Sequence, residues 1–449
     1  MQNIKRAFVG TLLFLILLWL VAEPTVFQST TFFGVRRYVM QLTGVLAIGC
    51  MSLGMVLALR PRRPEPWFGG LDKMYRLHKW LGIAALVIGT VHWLWAKGPK
   101  WAVGWGWLER PARSARAPLD NPVAVWLSSQ RGLAESLGEW AFYGAVILIA
   151  LALIKKFPYR LFFKTHRLIA IAYLVLVFHT LVLLKFSYWS APIGWVTAVL
   201  LAAGSWAALV ALCRGIGDDR KVPGTITALR VFDGVNALEI ETQVQGWSGH
   251  RPGQFAFATS NTSEGAHPYT IASAWHPESS RITFVVKELG DHTRTLKEQL
   301  RVGQTVQIEG PYGCFTFDDG DRPQIWIGGG IGITPFIARM KHLAHVQRDA
   351  ATPAGAPIDL FHCTTQVDTD ALDKLDADAK AANVTLHVLV DARDGLLTGE
   401  RIRSTVPGWS EASIWFCGPA GFGEALRRDL AAHGFPVDRH FHQELFAMR

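Results

Sequence analysis

The chain has 449 residues, half of them hydrophobic, with a mean hydropathy of +0.20 and a net charge of +9, which lies between a soluble enzyme and a protein wholly buried in lipid. Residues 1–213 hold 22 Lys and Arg against 7 Asp and Glu, whereas residues 214–449 hold 23 against 29. The basic residues are scattered between long apolar runs, so they suit loops facing anionic lipid rather than a nucleic-acid surface, and five cysteines without a CxxC pair argue against a disulfide framework.

A helix needs about 20 apolar residues to cross the hydrocarbon of a bilayer. Six runs meet or approach that length: 6–22, 37–59, 77–96, 138–155, 161–184 and 191–213. The first follows Lys5 and Arg6 as a signal peptide would, but its long run from Ala7 to Ala22 and the lack of an A-x-A cleavage pattern favour an uncleaved helix. Six crossings return the chain to its starting side, so residues 214–449 share a side with the N-terminus. The far loop 97–137 carries Lys97, Lys100, Arg110, Arg113, Arg116 and Arg131, so charge bias supports a cytoplasmic C-terminal half only modestly. Trp101, Trp105, Trp107 and Trp126 in that loop, with Trp93 and Trp95 before it, read as interfacial anchors, with acceptor binding as the alternative.

Ionisable and metal-binding groups inside membrane helices are functional suspects. The third run carries His78 and His92, the fifth carries His166 and His179, and no other histidine precedes His250. At about 100° and 1.5 Å per residue, the first pair shares a helical face about 21 Å apart; the second, about 19.5 Å apart, is rotated by about 140° and requires a tilted or distorted helix. The two helices run in the same direction, so His78 lies level with His166 and His92 with His179. Two imidazoles at each depth suit two b-type haems with both axial positions filled. Arg36, Arg37, Arg60, Arg62, Arg63 and Arg76 are candidate partners for haem propionates, with plain snorkelling as the alternative.

Beyond a linker at 214–221 the pattern changes to short alternating runs, TITALRVF, NALEIETQV, QFAFAT, RITFVVKEL and QTVQIEG, separated by turns, as in a small β-barrel. From about residue 322 strands and helices alternate: QIWIGGG, IDLFHCT, VTLHVLV and SIWFCGP each lead into a helix or turn, the mark of a parallel α/β sheet. The expected organisation is a six-helix transmembrane haem-binding domain (1–213), a β-barrel domain (214–321) and an α/β nucleotide-binding domain (322–449).

Within these regions, Arg251-Pro-Gly-Gln-Phe-Ala-Phe is followed by His267-Pro268-Tyr269-Thr270, and Gly290-Asp-His-Thr293 opens a helical run in which Thr293 reads as an N-cap. The strand QIWI runs into Gly328-Gly329-Gly330-Ile-Gly332-Ile-Thr334-Pro335, a turn whose backbone N–H groups suit a dinucleotide pyrophosphate. Cys417-Gly418-Pro419 follows the strand SIWF, and the chain ends Glu444-Leu-Phe446-Ala-Met-Arg449.

Taken together, these residues resemble the membrane ferric reductase and NADPH oxidase superfamily, and within it the bacterial ferric-reductase-like flavocytochromes, over nearly the whole chain. The resemblance implies FAD with Tyr269 against the isoalloxazine, Thr270 near its reactive nitrogen, His267 and Pro268 toward the pyrophosphate, and Gly290 and Thr293 beneath it. It implies Cys417, Gly418 and Pro419 beside the nicotinamide of NAD(P)H, and Glu444 with Phe446 as the Glu-x-aromatic ending whose ring covers the flavin; here three residues follow Phe446. After IDLFHC come Thr364, Thr365 and Gln366 without a cation, and Arg393 is the nearest candidate for a ribose phosphate, so the pattern favours NADH or use of both nucleotides. The expectation is electron transfer from cytosolic NAD(P)H through FAD and two haems to an acceptor outside a bacterial inner membrane. A ferric chelate leads; dioxygen (a superoxide-generating oxidase), a quinone or a periplasmic redox protein are the alternatives, and a haem-binding sensor is the reading of a different class.

Overall fold

The computed structural model describes residues 2–109, 121–154, 156–213, 215–319, 321–349 and 355–444. They form two compact units, one built almost wholly from the chain up to Ile216 and the other from Gly217 onward.

The helices that build the spans of the first unit are α1 (Gln2–Ala22), α2 (Phe32–Ala58), α3 (Leu71–Gly104), α4 (Arg131–Leu153), α5 (Tyr159–His166), α6 (Ile169–Leu183) and α7 (Pro192–Leu212). They supply six apolar spans, α5 and α6 together making the fifth. Leu13, Leu17, Val21, Val199 and Trp206 point outward, as lipid-facing residues do, while Ala207 and Ala208 are fully buried. Lipid gives helices no hydrophobic reason to associate, so small residues and polar contacts must hold them. Gly204 on α7 leaves room for the Tyr173 ring of α6, where any Cβ would collide with the phenol, and Tyr173 Oη lies 2.8 Å from Ser52 Oγ on α2.

Two local distortions interrupt these spans. Pro99 sits inside α3 and lacks the N–H that would bond the Trp95 carbonyl one turn back. Arg36 Nε donates to that carbonyl at 2.9 Å, so this side chain serves the bend in α3. The second distortion separates α5 from α6 at Arg167 and Leu168. There the N–H groups of Leu168, Ala170 and Ile171 bond three residues back, to Thr165, Arg167 and Leu168. Each residue in such a turn advances about 120° rather than about 100°, so three of them turn His179 about 60° toward the face of His166, roughly half of the offset, and the break between α5 and α6 supplies a distortion in addition. This is the distortion that the spacing of those histidines required.

The second unit opens with β1 (Lys221–Phe232), β2 (Ala237–Val244), β3 (Phe255–Thr259), β4 (His267–Thr270), β5 (Arg281–Lys287), α8 (Asp291–Gln299) and β6 (Thr305–Tyr312). The six strands form one sheet in the order β4-β3-β6-β1-β2-β5, and an Ile271–Phe284 bridge brings its two edges together as a barrel. Alternation in β2 turns Leu238 and Ile240 into a core shared with Ile226, Ile282, Phe284 and Ile308. Then come β7 (Gln324–Gly329), α9 (Thr334–Asp349), β8 (Ile358–Thr364), α10 (Thr369–Ala381), β9 (Thr385–Val390), β10 (Ser413–Cys417), α11 (Ala420–Ala432) and β11 (Phe441–Gln443). The five strands are parallel in the order β11-β10-β7-β8-β9. Phe315 and Phe317, from the segment that leaves β6, pack into the core of this sheet with Trp326, Phe336 and Trp415.

The barrel core holds His250 in its neutral form. Nε2–H donates to the Ser273 carbonyl at 3.0 Å while Nδ1 accepts from the Trp247 indole at 3.3 Å, and burial pushes its pKa down to about 4. His362 on β8 is likewise pushed down to about 4 by burial. Below the ordinary value of 6.5 the unfolded chain takes up protons that the folded chain refuses, so stability falls with pH between about 6.5 and about 4, by about 1–3 kcal/mol per group. Thermal unfolding followed from pH 7.5 to pH 5 should show this loss, and His250→Gln should flatten it; an equally steep profile in that variant would exclude His250 as a cause.

Candidate functional site

The four membrane histidines meet in two pairs. The ring centres of His78 and His166 are 5.9 Å apart, those of His92 and His179 6.4 Å apart. Two metal–imidazole bonds of about 2.0–2.1 Å, plus about 1 Å from each nitrogen to its ring centre, span about 6 Å. His78 Nδ1 lies 2.9 Å from the Gly54 carbonyl, and His179 Nδ1 lies 2.8 Å from that of Ala134. A carbonyl only accepts, so each Nδ1 carries the proton and each Nε2 keeps its lone pair. The same holds for His92: Thr43 gives its hydroxyl proton to the Val39 carbonyl at 2.7 Å and so accepts from His92 Nδ1 at 3.0 Å. Metal-ligating histidines are oriented in this way by their second nitrogen. His166 stacks on Phe162, with ring centres 5.0 Å apart. Glycines keep the rings in place: a Cβ on Gly138 would sit within the His179 ring, and one on Gly44 would reach His92 Cε1 at 3.4 Å. The residues present therefore fit axial ligation of two haems.

Among the arginines considered for propionates, Arg36 is committed to α3, and Arg60 Nε donates to Tyr75 Oη at 2.7 Å. Trp105, Trp107 and Trp126 are exposed as interfacial anchors are. Trp93 departs from that expectation. It stacks on Phe142 and donates to Tyr143 Oη at 3.2 Å, in a chain that continues through Glu139 to Lys97.

In the second unit, β4 places His267, Pro268, Tyr269 and Thr270 beside β3, with Phe255 opposite Thr270. The Thr270 hydroxyl is buried and has no hydrogen-bond partner among the described residues, which costs about 1–3 kcal/mol unless a ligand supplies one. His292, which the sequence pattern of Gly290-Asp-His-Thr293 does not single out, is central here. Its Nε2 lies 3.0 Å from Tyr269 Oη, its Nδ1 bonds Glu264, and its ring stacks on His267 at 3.6 Å and 6°. Burial, then the neighbouring His292, push His267 down to about 4, so its imidazole is neutral at pH 7. The donor atoms of Glu264, His267 and His292 lie within 4.8 Å of one another. Lone pairs in two parallel rings do not converge on one ion, so the cluster suits a polar wall beside a cofactor better than a metal centre.

Thr293 is not the N-cap expected from sequence. Helix α8 begins at Asp291 with Gly290 before it, and Thr293 Oγ1 folds back to accept from the N–H groups of Leu289 at 2.9 Å and Gly290 at 3.0 Å. Gly290 is extended, so the helix starts earlier than a threonine cap implies. The N–H groups of Asp291, His292 and Thr293 precede the first helical bond, from Arg294 N to Gly290 O, and form the end of α8 that an anion would suit.

The glycine-rich turn divides its labour. Gly330, at φ +57° with open space where a Cβ would be, is the residue that turns the chain. Gly328, Gly329 and Gly332 serve packing: Gly329 lies against Gly418 and Pro419, and a Cβ on Gly332 would collide with the Cys417 carbonyl. Thr334 and Pro335 then open α9. Cys417 is fully buried, and its Sγ lies 3.9 Å from Glu444 Oε2; burial, then the Glu444 charge, push the thiol well up. Phe446 lies outside the described residues. Arg393, the cation considered for a ribose phosphate, is paired with Asp394, Nη2 to Oδ2 at 2.9 Å.

Residues 43–177 match the family described as ferric reductase like transmembrane component, and residues 231–316 match an FAD-binding domain. The first match spans His78, His92 and His166 and ends just short of His179. Similar proteins include the electron transfer component of 2-halobenzoate 1,2-dioxygenase from Burkholderia cepacia, 27% identical over 197 residues, covering 42% of this chain and 57% of that one. A flavohemoprotein from Pseudomonas putida is 26% identical over 188 residues, 37% of this chain and 43% of that one. Among solved structures, the FAD/NAD binding domain of nitric oxide dioxygenase from Vibrio cholerae aligns with TM-score 0.43 and 17% identity, over 51% of this chain and 99% of that one. The chain spans about half the length of the curated relatives it matches. The chain thus carries a ferric-reductase-like membrane component, an FAD-binding domain and a parallel α/β domain, in that order.

Proposed function

We propose that the protein is an NAD(P)H-dependent oxidoreductase that carries electrons from cytosolic NAD(P)H to a ferric chelate on the opposite side of a bacterial inner membrane. The observation that supports this best is the pair of facing imidazole couples, each at axial-ligand separation, in a chain that also bears a flavin and nucleotide module. When bound, FAD would supply the conversion of a hydride into single electrons, and two b-type haems would supply one-electron carriers across the membrane. His78 with His166, and His92 with His179, hold the haems. Tyr269 packs against the flavin, the Thr270 hydroxyl bonds its reactive edge, and His267 and the α8 N-terminus take the pyrophosphate. The turn from Gly328 to Gly332 and the start of α9 hold the dinucleotide phosphates, with Gly418 and Pro419 beside the nicotinamide. Glu444 and Cys417 keep a proton next to the transfer path, and the resemblance gives Phe446, outside the described residues, the gating role of the terminal aromatic. The pairing of Arg393 with Asp394 favours NADH as donor.

Anaerobic NADH added to the purified protein should bring up a reduced b-type haem spectrum, and a membrane-impermeant ferric chelate should then be reduced by intact cells. No haem reduction under these conditions would defeat the reading. Iron reduction abolished by superoxide dismutase would reassign the acceptor to dioxygen.

A further inference from the structure

A carboxylate outside the cofactor-binding residues ties together two distant parts of the second unit. Asp319 lies in the segment between β6 and β7, and its Oδ2 accepts from His440 Nδ1 at 3.0 Å and from His442 Nε2 at 3.2 Å. His440 ends the short helix Val437–His440, and His442 is the middle residue of β11. A further constraint on His442 is Trp415 of β10, whose ring it overlies at 4.0 Å and 17°. Burial works against ionisation of Asp319, but the neighbouring Ser413 and the hydrogen bonds from the two histidines outweigh it and hold the carboxyl below its usual range.

Strand β11 needs such a fastening. It has three residues, lies at the edge of the sheet and pairs with β10 alone, from Phe441 opposite Ile414 to Gln443 opposite Phe416. A one-residue slip in a strand exchanges its two faces. The next residue is Glu444, whose N–H lies 3.4 Å from the Phe416 carbonyl and whose carboxylate faces Cys417. Whatever sets the register of β11 therefore sets the place of Glu444.

We propose that Asp319 is a positioning residue: by gripping His440 and His442 from the segment that leaves β6, it fixes β11 in register and holds Glu444 against Cys417 for hydride transfer. The catalytic part of this statement rests on the role given to Glu444 above; the structural part does not.

The test uses the full-length, cofactor-loaded protein. In Asp319→Ala, the rate of flavin reduction at saturating NADH should fall about 10–100-fold, the scale of a displacement of about 1 Å at a reacting centre. KM for NADH and FAD content should stay as in the wild type, Asp319→Glu should recover most of the rate, and His442→Gln should add little in the Asp319→Ala background. Hydrogen exchange at the amides of residues 441–444 should be faster in Asp319→Ala. Wild-type rate and exchange in that variant would overturn the proposal, as would a loss of rate that merely follows loss of FAD. If the wild type shows no NADH-driven flavin reduction, the functional reading fails, and the exchange measurement alone still decides whether Asp319 holds the strand.

Discussion

Replacing His92 by alanine is expected to leave about one b-type haem per chain where the wild type holds about two, and to abolish reduction of an impermeant ferric chelate by intact cells. The imidazole is built into its place from both sides. Thr43 accepts its Nδ1 proton, Gly44 clears space for the ring, and Nε2 keeps its lone pair with the His179 ring centre 6.4 Å away. Alanine would delete one of the two ligands proposed for that haem and leave His179 without its facing imidazole. Flavin reduction by NADH should continue, because no residue of the second unit has changed. Thr43→Val provides a graded companion: the ligand stays while its orienting partner goes, and haem affinity should drop about 10–100-fold. Haem-to-protein ratios from reduced spectra decide the matter, and two full equivalents in His92→Ala would remove these histidines from consideration as ligands.

Gly332→Ala is expected to produce the second large effect, on the opposite end of the electron path. The added Cβ meets the Cys417 carbonyl and the Gly418 nitrogen, backbone atoms that cannot swing aside as a flexible side chain can. Relief requires the turn after β7 to withdraw from the end of β10, at a cost of about 1–3 kcal/mol in stability. Separating the turn proposed to hold the dinucleotide phosphates from Gly418 and Pro419 by about 1 Å should slow flavin reduction by NADH by about 100-fold. Haem content should be unchanged. Gly330→Ala is the comparison: open space surrounds that position, and the variant carries only the left-handed backbone penalty of about 1–2 kcal/mol. A Gly332→Ala protein with wild-type flavin reduction kinetics would show that contact between the turn and β10 has no bearing on hydride transfer.

Much of this was legible in the sequence because it is written in periodicity and composition. The six spans come from apolar length, and the matched depths of four histidines come from helix rise. The need for a distortion between His166 and His179 emerges from the same arithmetic. What the sequence left hidden depends on contacts between distant residues. His292 stands inside a motif read for its glycine and threonine, and only the fold brings Glu264, His267 and Tyr269 to it. The packing duty of Gly329 and Gly332 is set by Gly418 and Cys417, almost 90 residues away. Strand β11 is too short to show alternation, and Trp93 reads as an interfacial anchor until its neighbours on α4 are known.

The placement of Phe315 and Phe317 governs how the two halves of the second unit can be separated. A boundary at Arg322 matches the change in sequence pattern, but these two rings, 5% and 2% exposed, are inner wall of the α/β sheet beside Trp326, Phe336 and Trp415. A nucleotide-binding fragment begun at Arg322 would uncover three large aromatic faces and lack the plug that fills them. Begun at Gly313, it would carry its own plug, and with it Asp319. The chain between the two sheets is thus a component of the sheet it leads into, and a protease that cut it at residue 321 would leave the joint packed.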